Sequence, residues 1–124
     1  MRIRPERVAE AMKRELADII ANKLRDPRLG AMISVTDVEV TNDLSLAKVY
    51  VSVLADDPER AKIMSALAHT TGFVRHELST RIELREVPDL RFALDTSIER
   101  GARVEELLRR IHTGEPPPDD DEAQ

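Results

Sequence analysis

Arginine is the residue whose type and spacing point furthest toward a chemistry in this sequence. Arg2, Arg4 and Arg7 open a helical pattern, and Arg25 and Arg28 follow it. Arg75 lies in a second helical stretch, and Arg81, Arg85 and Arg91 come after it. A planar guanidinium presents N–H pairs that match phosphate oxygens, so such a set suits phosphate and shape recognition on a nucleic acid. The plainer reading is a solvated charged surface, in which Glu77 and Arg81, for example, pair as helix neighbours. Base-by-base reading is disfavoured. Tyr50, Phe73 and Phe92 are the only aromatics, too few and too scattered for a stacking platform.

Catalytic patterns are weak. His69, His76 and His112 lack metal-ligand spacing, and His76-Glu77 is not followed by the second histidine of a metalloprotease helix. The four glycines form no phosphate loop or dinucleotide fingerprint, and no serine stands in a nucleophile elbow. Asp37, Asp43 and Asp95 fall at a strand irregularity, a turn and a helix entry, where aspartate normally serves the backbone. With no cysteine, disulfides, thiolate zinc sites, iron–sulfur clusters and cysteine nucleophiles are excluded. No cofactor, no metal and no catalysis are expected.

The 124 residues fit one domain, and three aromatics in a 41% apolar chain require an aliphatic core. The net charge of −5 hides an asymmetry. The first 30 residues carry eight basic and five acidic side chains, whereas residues 114–124 carry five acids and no base. The two ends thus have opposite sign, and the basic one can still hold a polyanion locally. No apolar run approaches the roughly 20 residues that span a bilayer. No secretory pattern marks the start, so a cytoplasmic location away from membranes is expected.

The elements that must position these arginines follow from periodicity. Pro5 opens a helix whose stripe is Val8, Met12, Leu16, Ile19 and Lys23, and which Asp26-Pro27 should end. Pro27-Arg28-Leu29-Gly30 reads as a turn. In residues 32–41 the alternation shifts phase between Ile33/Val35 and Val38/Val40, which predicts a bulge near Thr36-Asp37. After a turn at Thr41-Asn42-Asp43, Ala47, Val49, Val51 and Val53 share one face of a second strand, completing a hairpin. Asp56-Asp57-Pro58 starts a second helix. Its stripe of Met64, Leu67, Thr71, Val74 and Leu78 runs through Gly72, where a kink is expected.

Leu90, Phe92 and Leu94 form a short strand beyond Pro88, reached by a connection long enough for a right-handed crossover. Thr96-Ser97-Ile98-Glu99 looks like a capping box for a last helix with the face Ile98, Gly101, Val104, Leu107, Leu108 and Ile111. The predicted fold is α+β, in the order α-β-β-α-(kink)-α-β-α, with a three-stranded sheet covered by helices on one face. Residues 1–113 make the domain. Residues 114–124, with three consecutive prolines and the acids, make a disordered tail. No apolar stripe is left over, so a monomer is expected.

A helix–joint–helix beside a short sheet is the geometry of an RNA-binding KH domain, although the usual GxxG loop is missing. Several stretches carry a closer likeness: Arg4-Pro5-Glu6-Arg7-Val8, Asp26-Pro27-Arg28-Leu29-Gly30, Asn42-Asp43-Leu44 and Ala47-Lys48-Val49-Tyr50-Val51-Ser52. Gly72-Phe73-Val74-Arg75, Val87-Pro88-Asp89-Leu90-Arg91-Phe92 and Asp95-Thr96-Ser97 continue it. In that order, through about residues 4–111, the chain resembles the bacterial ribosome-binding factor A family. The resemblance implies a type II KH-like domain whose GxxG is replaced by an Ala-x-Gly joint, here Thr70-Thr71-Gly72. It also implies a non-catalytic assembly factor that binds the free 30S subunit, assists late maturation of 16S rRNA and supports growth in the cold.

The RNA-binding candidates are therefore Arg4, Arg7, Arg25, Arg28, Thr70, Gly72, Arg75, Arg81, Arg85 and Arg91. The competing reading is a protein-interaction module that docks through the second-strand face or the last helix without touching RNA. A small hydrolase is the remote third, and requires an Asp or His pair to converge in a pocket. The tail is expected to repel bare RNA. Deleting residues 114–124 should therefore tighten binding to unrelated RNA at fixed salt, as read by filter binding; unchanged affinity would remove that role.

Overall fold

The computed structural model describes residues 4–114, apart from the side chains of residues 98–100, 102–104 and 113. Helix α1 spans Pro5–Asn22, short helix α2 Pro27–Ala31, strand β1 Ile33–Val40 and strand β2 Leu46–Val53. Helices α3 (Asp57–Ala68) and α4 (Thr71–Ser79) precede strand β3 (Asp89–Leu94), and α5 (Ser97–Thr113) closes the described chain. The sheet order is β1-β2-β3. β1 and β2 pair antiparallel as a hairpin, and β2 and β3 pair parallel. Parallel pairing needs a long return, which α3 and α4 supply.

The expected periodicities place the core. Val8, Met12, Leu16 and Ile19 of α1 are buried, as are Ala47, Val49, Val51 and Val53 of β2. α1 lies on β1 and beside α4, and α3 and α4 lie on β3. One aliphatic cluster therefore joins the helices to a single sheet face. Full burial contributes about 1.5–3 kcal/mol for each large aliphatic side chain. The expected bulge is present: the β1–β2 register shifts between Val35 and Asp37, leaving Thr36 extra. Its hydroxyl is used, donating to Asp95 Oδ2 at 2.6 Å and so fastening the bulge to the end of β3.

The structure corrects the sequence reading in four places. α1 ends at Asn22, and Pro27–Gly30 is no turn but the start of a helix. Asp26 caps that helix, its carboxylate accepting from the Arg28 N–H at 3.0 Å. Proline is at home in a first helical turn, so Asp26-Pro27 starts one helix rather than ending the other. Secondly, the break between α3 and α4 falls at His69-Thr70, and Gly72 sits within the first turn of α4.

Thirdly, the Thr96 side chain makes no cap; Asp95 Oδ1 takes the Ser97 N–H instead, at 2.8 Å. Glu99, the other half of the expected box, lies outside the described side chains. Lastly, α5 does not cover the sheet. It packs closely on no other described element, and Leu108 and Ile111 stand 59% and 67% exposed. The ground for expecting a monomer, that no apolar side chains are left over, therefore fails. Of that helix face, Ile98 and Val104 lie outside the described side chains, as do Arg2 and the acidic tail outside the described chain.

Gly30 fixes how closely α2 returns against α1. A methyl group there would overlap the carbonyl oxygen of Ile20, which is α1 backbone and has no rotamer to escape into. Gly30→Ala is expected to lower stability by about 2 kcal/mol or more, read as a lower urea midpoint. A change within about 0.5 kcal/mol would refute the tight α1–α2 approach.

Candidate nucleic-acid interface

The joint is a break held by hydrogen bonds. Thr70 stands at φ −89°, ψ −1°, off the helical optimum. Its N–H still reaches Leu67 O at 2.9 Å, a tightened turn rather than a helical one. Side chains add bonds to the carbonyls of the last α3 turn, two of which already accept backbone N–H groups. Thr70 Oγ1 donates to Leu67 O and Thr71 Oγ1 to Ala68 O, both at 2.7 Å, and His69 Nδ1 lies 2.7 Å from Ser65 O. The hydroxyls at positions 70 and 71 thus stabilise the joint itself. Gly72 is exposed, and a Cβ there would meet nothing within 4 Å. The fold therefore places no steric demand for glycine at this position.

Arg75 follows on α4, and its guanidinium is already used. Nη2 donates to Val87 O at 2.6 Å and Nε to Pro88 O at 3.3 Å, with the Asp89 carboxylate 3.7 Å away. These bonds tie α4 to the segment that enters β3. The side chain stays 44% exposed. It lines a cleft of about 280 Å³ with Gly72, His76, Ser79 and Val87. Arg81 is committed further. Glu77 is not its partner: Nη1 donates to Asp18 Oδ2 at 2.6 Å and to Glu15 Oε2 at 3.2 Å, pinning the end of α4 to α1. The Arg81 and Asn22 side chains hold the Asp18 carboxyl below its usual range.

The remaining cations do not converge. Arg4 is the N-cap residue of α1 and Arg7 lies within the first turn, both exposed. Arg25 and Arg28 are exposed at the far end, with Arg28 Nε 3.4 Å from Asp26. An 18-residue helix separates the two groups, which is about 27 Å at 1.5 Å per residue. Arg85 borders a depression with Asp43, Ser45 and Glu86, and Arg91 is exposed on β3. Arg4, Arg7, Arg25, Arg85 and Arg91 make no ion pair among the described residues. Two clusters at opposite ends of one helix can hold two backbone segments, and cannot share one phosphate.

Sequence reasoning missed Lys48. The register sets it beside Arg91 on the helix-free face of the sheet. Strand alternation shows which face Lys48 takes, but its neighbour appears only once β2 and β3 are known to pair in parallel. The three aspartates serve the backbone or fold contacts. Asp37 accepts from the Val38 N–H, Asp95 binds Thr36 and Ser97, and Asp43 is pushed down to about 2 by the hydroxyls of Ser45 and Thr41. Among the described residues no helix is long and apolar enough to cross a membrane.

Known proteins agree with this geometry. The family model for ribosome-binding factor A matches residues 4–108. The ribosome-binding factor A of Desulforamulus reducens is 48% identical over 115 residues, covering 93% of this chain and 95% of that protein. The crystal structure of ribosome-binding factor A from Thermus thermophilus has a TM-score of 0.63 at 28% identity, over 73% of this chain and 93% of that one. A Thermus thermophilus homology model, as fitted into a cryo-EM map of a complex with 30S, gives a TM-score of 0.57 at 29% identity. That match covers 69% of this chain and 89% of the other.

The Asp18–Arg81 pair sets a pH dependence. Because the folded carboxyl lies below its ordinary value near 3.8, the pair stabilises fully above that value and fades as pH falls through the lower folded one. Arg81→Gln is expected to lower the thermal unfolding midpoint at about pH 6. Its deficit relative to the unaltered protein should shrink steadily below about pH 4. A deficit that does not change with pH would show that the guanidinium acts through packing alone.

Proposed function

This chain belongs to the ribosome-binding factor A family and has its KH-like fold, and on that premise we propose that it is a cytoplasmic assembly factor for the small ribosomal subunit. It binds the free 30S particle and assists late maturation of 16S rRNA by RNA binding, without catalysis. One observation carries the RNA part. Arg4, Arg7 and Arg25 are exposed and outside any ion pair among the described residues, at the two ends of a helix whose other face is locked into the core.

A ligand shifts a conformational equilibrium only by its differential affinity for the states. Cations set about 27 Å apart at the two ends of one helix favour the rRNA arrangement in which two backbone segments stand at that spacing. The joint offers a second place. The exposed, side-chain-free Gly72 and the neighbouring cleft at Arg75 let a backbone approach α4 closely. Arg28, Thr70, Arg85 and Arg91 complete the proposed contact set. Arg81 belongs to it through positioning, since it fixes α4 against α1.

The competing reading, a protein-docking module that leaves RNA untouched, draws on the exposed Leu108 and Ile111 of α5. Charge reversal separates the two. Arg4→Glu with Arg7→Glu and Arg25→Glu avoids the guanidiniums used within the fold. It is expected to weaken binding to purified small subunits about tenfold or more at 0.1 M salt and to flatten the salt dependence. In gradients of cell extract the unaltered protein should travel with free small subunits and not with 70S ribosomes. Undiminished binding by the triple variant would favour the protein-docking reading, and a mainly 70S distribution would overturn the assembly role.

A further inference from the structure

Helices α1, α3 and α4 lie on one side of the sheet and α5 packs closely on neither face, so the other face is open. On β2 the side chains opposite the buried valines are Lys48, Tyr50 and Ser52; on β3 those opposite Leu90 and Phe92 are Arg91 and Ala93. The register pairs Lys48 with Arg91, two exposed cations side by side on neighbouring strands. Like charges in such positions repel and cost stability.

The nearby acids form no ion pair with Lys48 or Arg91 among the described residues. Glu39, paired with Lys48 from β1, turns its carboxylate to the Tyr50 hydroxyl, which donates to it at 3.3 Å. Asp89 lies toward Arg75 at 3.7 Å. Lys48 itself rests 5.2 Å above the Tyr50 ring, an attraction that holds its ammonium over the sheet. The open face carries the acids Asp37 and Glu39 on β1, the cations Lys48 and Arg91 on β2 and β3, and Asp89 at the start of β3, drawn toward Arg75. No described helix covers it.

We propose that this open face is a second RNA contact, in which a phosphodiester backbone runs along the β3 side and one phosphate lies between Lys48 and Arg91. A phosphate there turns the repulsion into a shared attraction. The acids of β1 exclude the strand from the other half of the face, so its track is fixed. The inference rests on the RNA-binding reading above and adds a surface on the side of the molecule opposite α1. The protein then lies between two RNA elements.

The test reads stability and binding together, with the full chain and purified small subunits. Arg91→Glu is expected to raise the unfolding midpoint by replacing a repulsion with a cross-strand attraction. It should also weaken subunit binding about tenfold. Lys48→Ala with Arg91→Ala should keep the fold and flatten the logarithmic salt dependence of binding by up to about two units. Because the chain has no cysteine, Ser34→Cys gives a unique attachment point on the same face. It lies about 14 Å from Lys48 and about 16 Å from Arg91 at 3.3 Å per residue and 4.8 Å per strand, for a tethered hydroxyl-radical source.

Localised cleavage of 16S rRNA from that source supports the proposal. No cleavage of 16S rRNA from that site overturns it. If Arg4→Glu with Arg7→Glu weakens binding while the sheet variants do not, the second surface is refuted and the RNA reading stands. If neither set weakens binding, both fall.

Discussion

One layer of helices covering one face of three strands is the constraint from which the other features follow. The core that joins them is aliphatic throughout, and among the described residues no polar or charged side chain is buried. A small chain with three aromatics builds one core of this kind, and its leftover apolar side chains on α5 do not pack on the sheet. One sheet face must then stay open, and charge is confined to helix rims, loops and that open face. Interaction with other molecules falls to side chains that the interior does not need.

Within that constraint the arginines divide by what they touch. Arg81 and Arg75 are fastened inward, one to the carboxylates of α1 and the other to carbonyls ahead of β3. They set the positions of α4 and of the joint before it. Arg4, Arg7 and Arg25 point outward and leave their charge available. The inward group makes the outward group useful, because cations on a framework that cannot flex meet one arrangement of a polyanion better than others. The joint is built on threonines whose hydroxyls bond back to carbonyls of the last α3 turn.

Much of the fold is legible because it is written locally. A four-three step of apolar residues marks α1, strict alternation marks β2, and a change of phase marks the bulge at Thr36. The misreadings are also local. Proline reads as a stop, where Asp26 makes it a start. Glycine reads as the bend, although the backbone turns at His69-Thr70 with ordinary negative φ. The last helix reads as a layer because its pattern is amphipathic, yet a pattern shows only that a face is apolar and never what covers it.

The sequence alone determined the element types, the aliphatic character of the core, the family and the supply of cations. These depend on composition and on periods of two and 3.6 residues, which neighbours in the chain settle among themselves. Only the tertiary structure decided which cations are free. Arg81 meets Asp18 across 63 positions, Thr36 meets Asp95 across 59, and Lys48 lies beside Arg91 only because β3 returns parallel to β2. Charge attraction is short-ranged and indifferent to sequence order, so the choice of partner waits until packing has brought distant segments together.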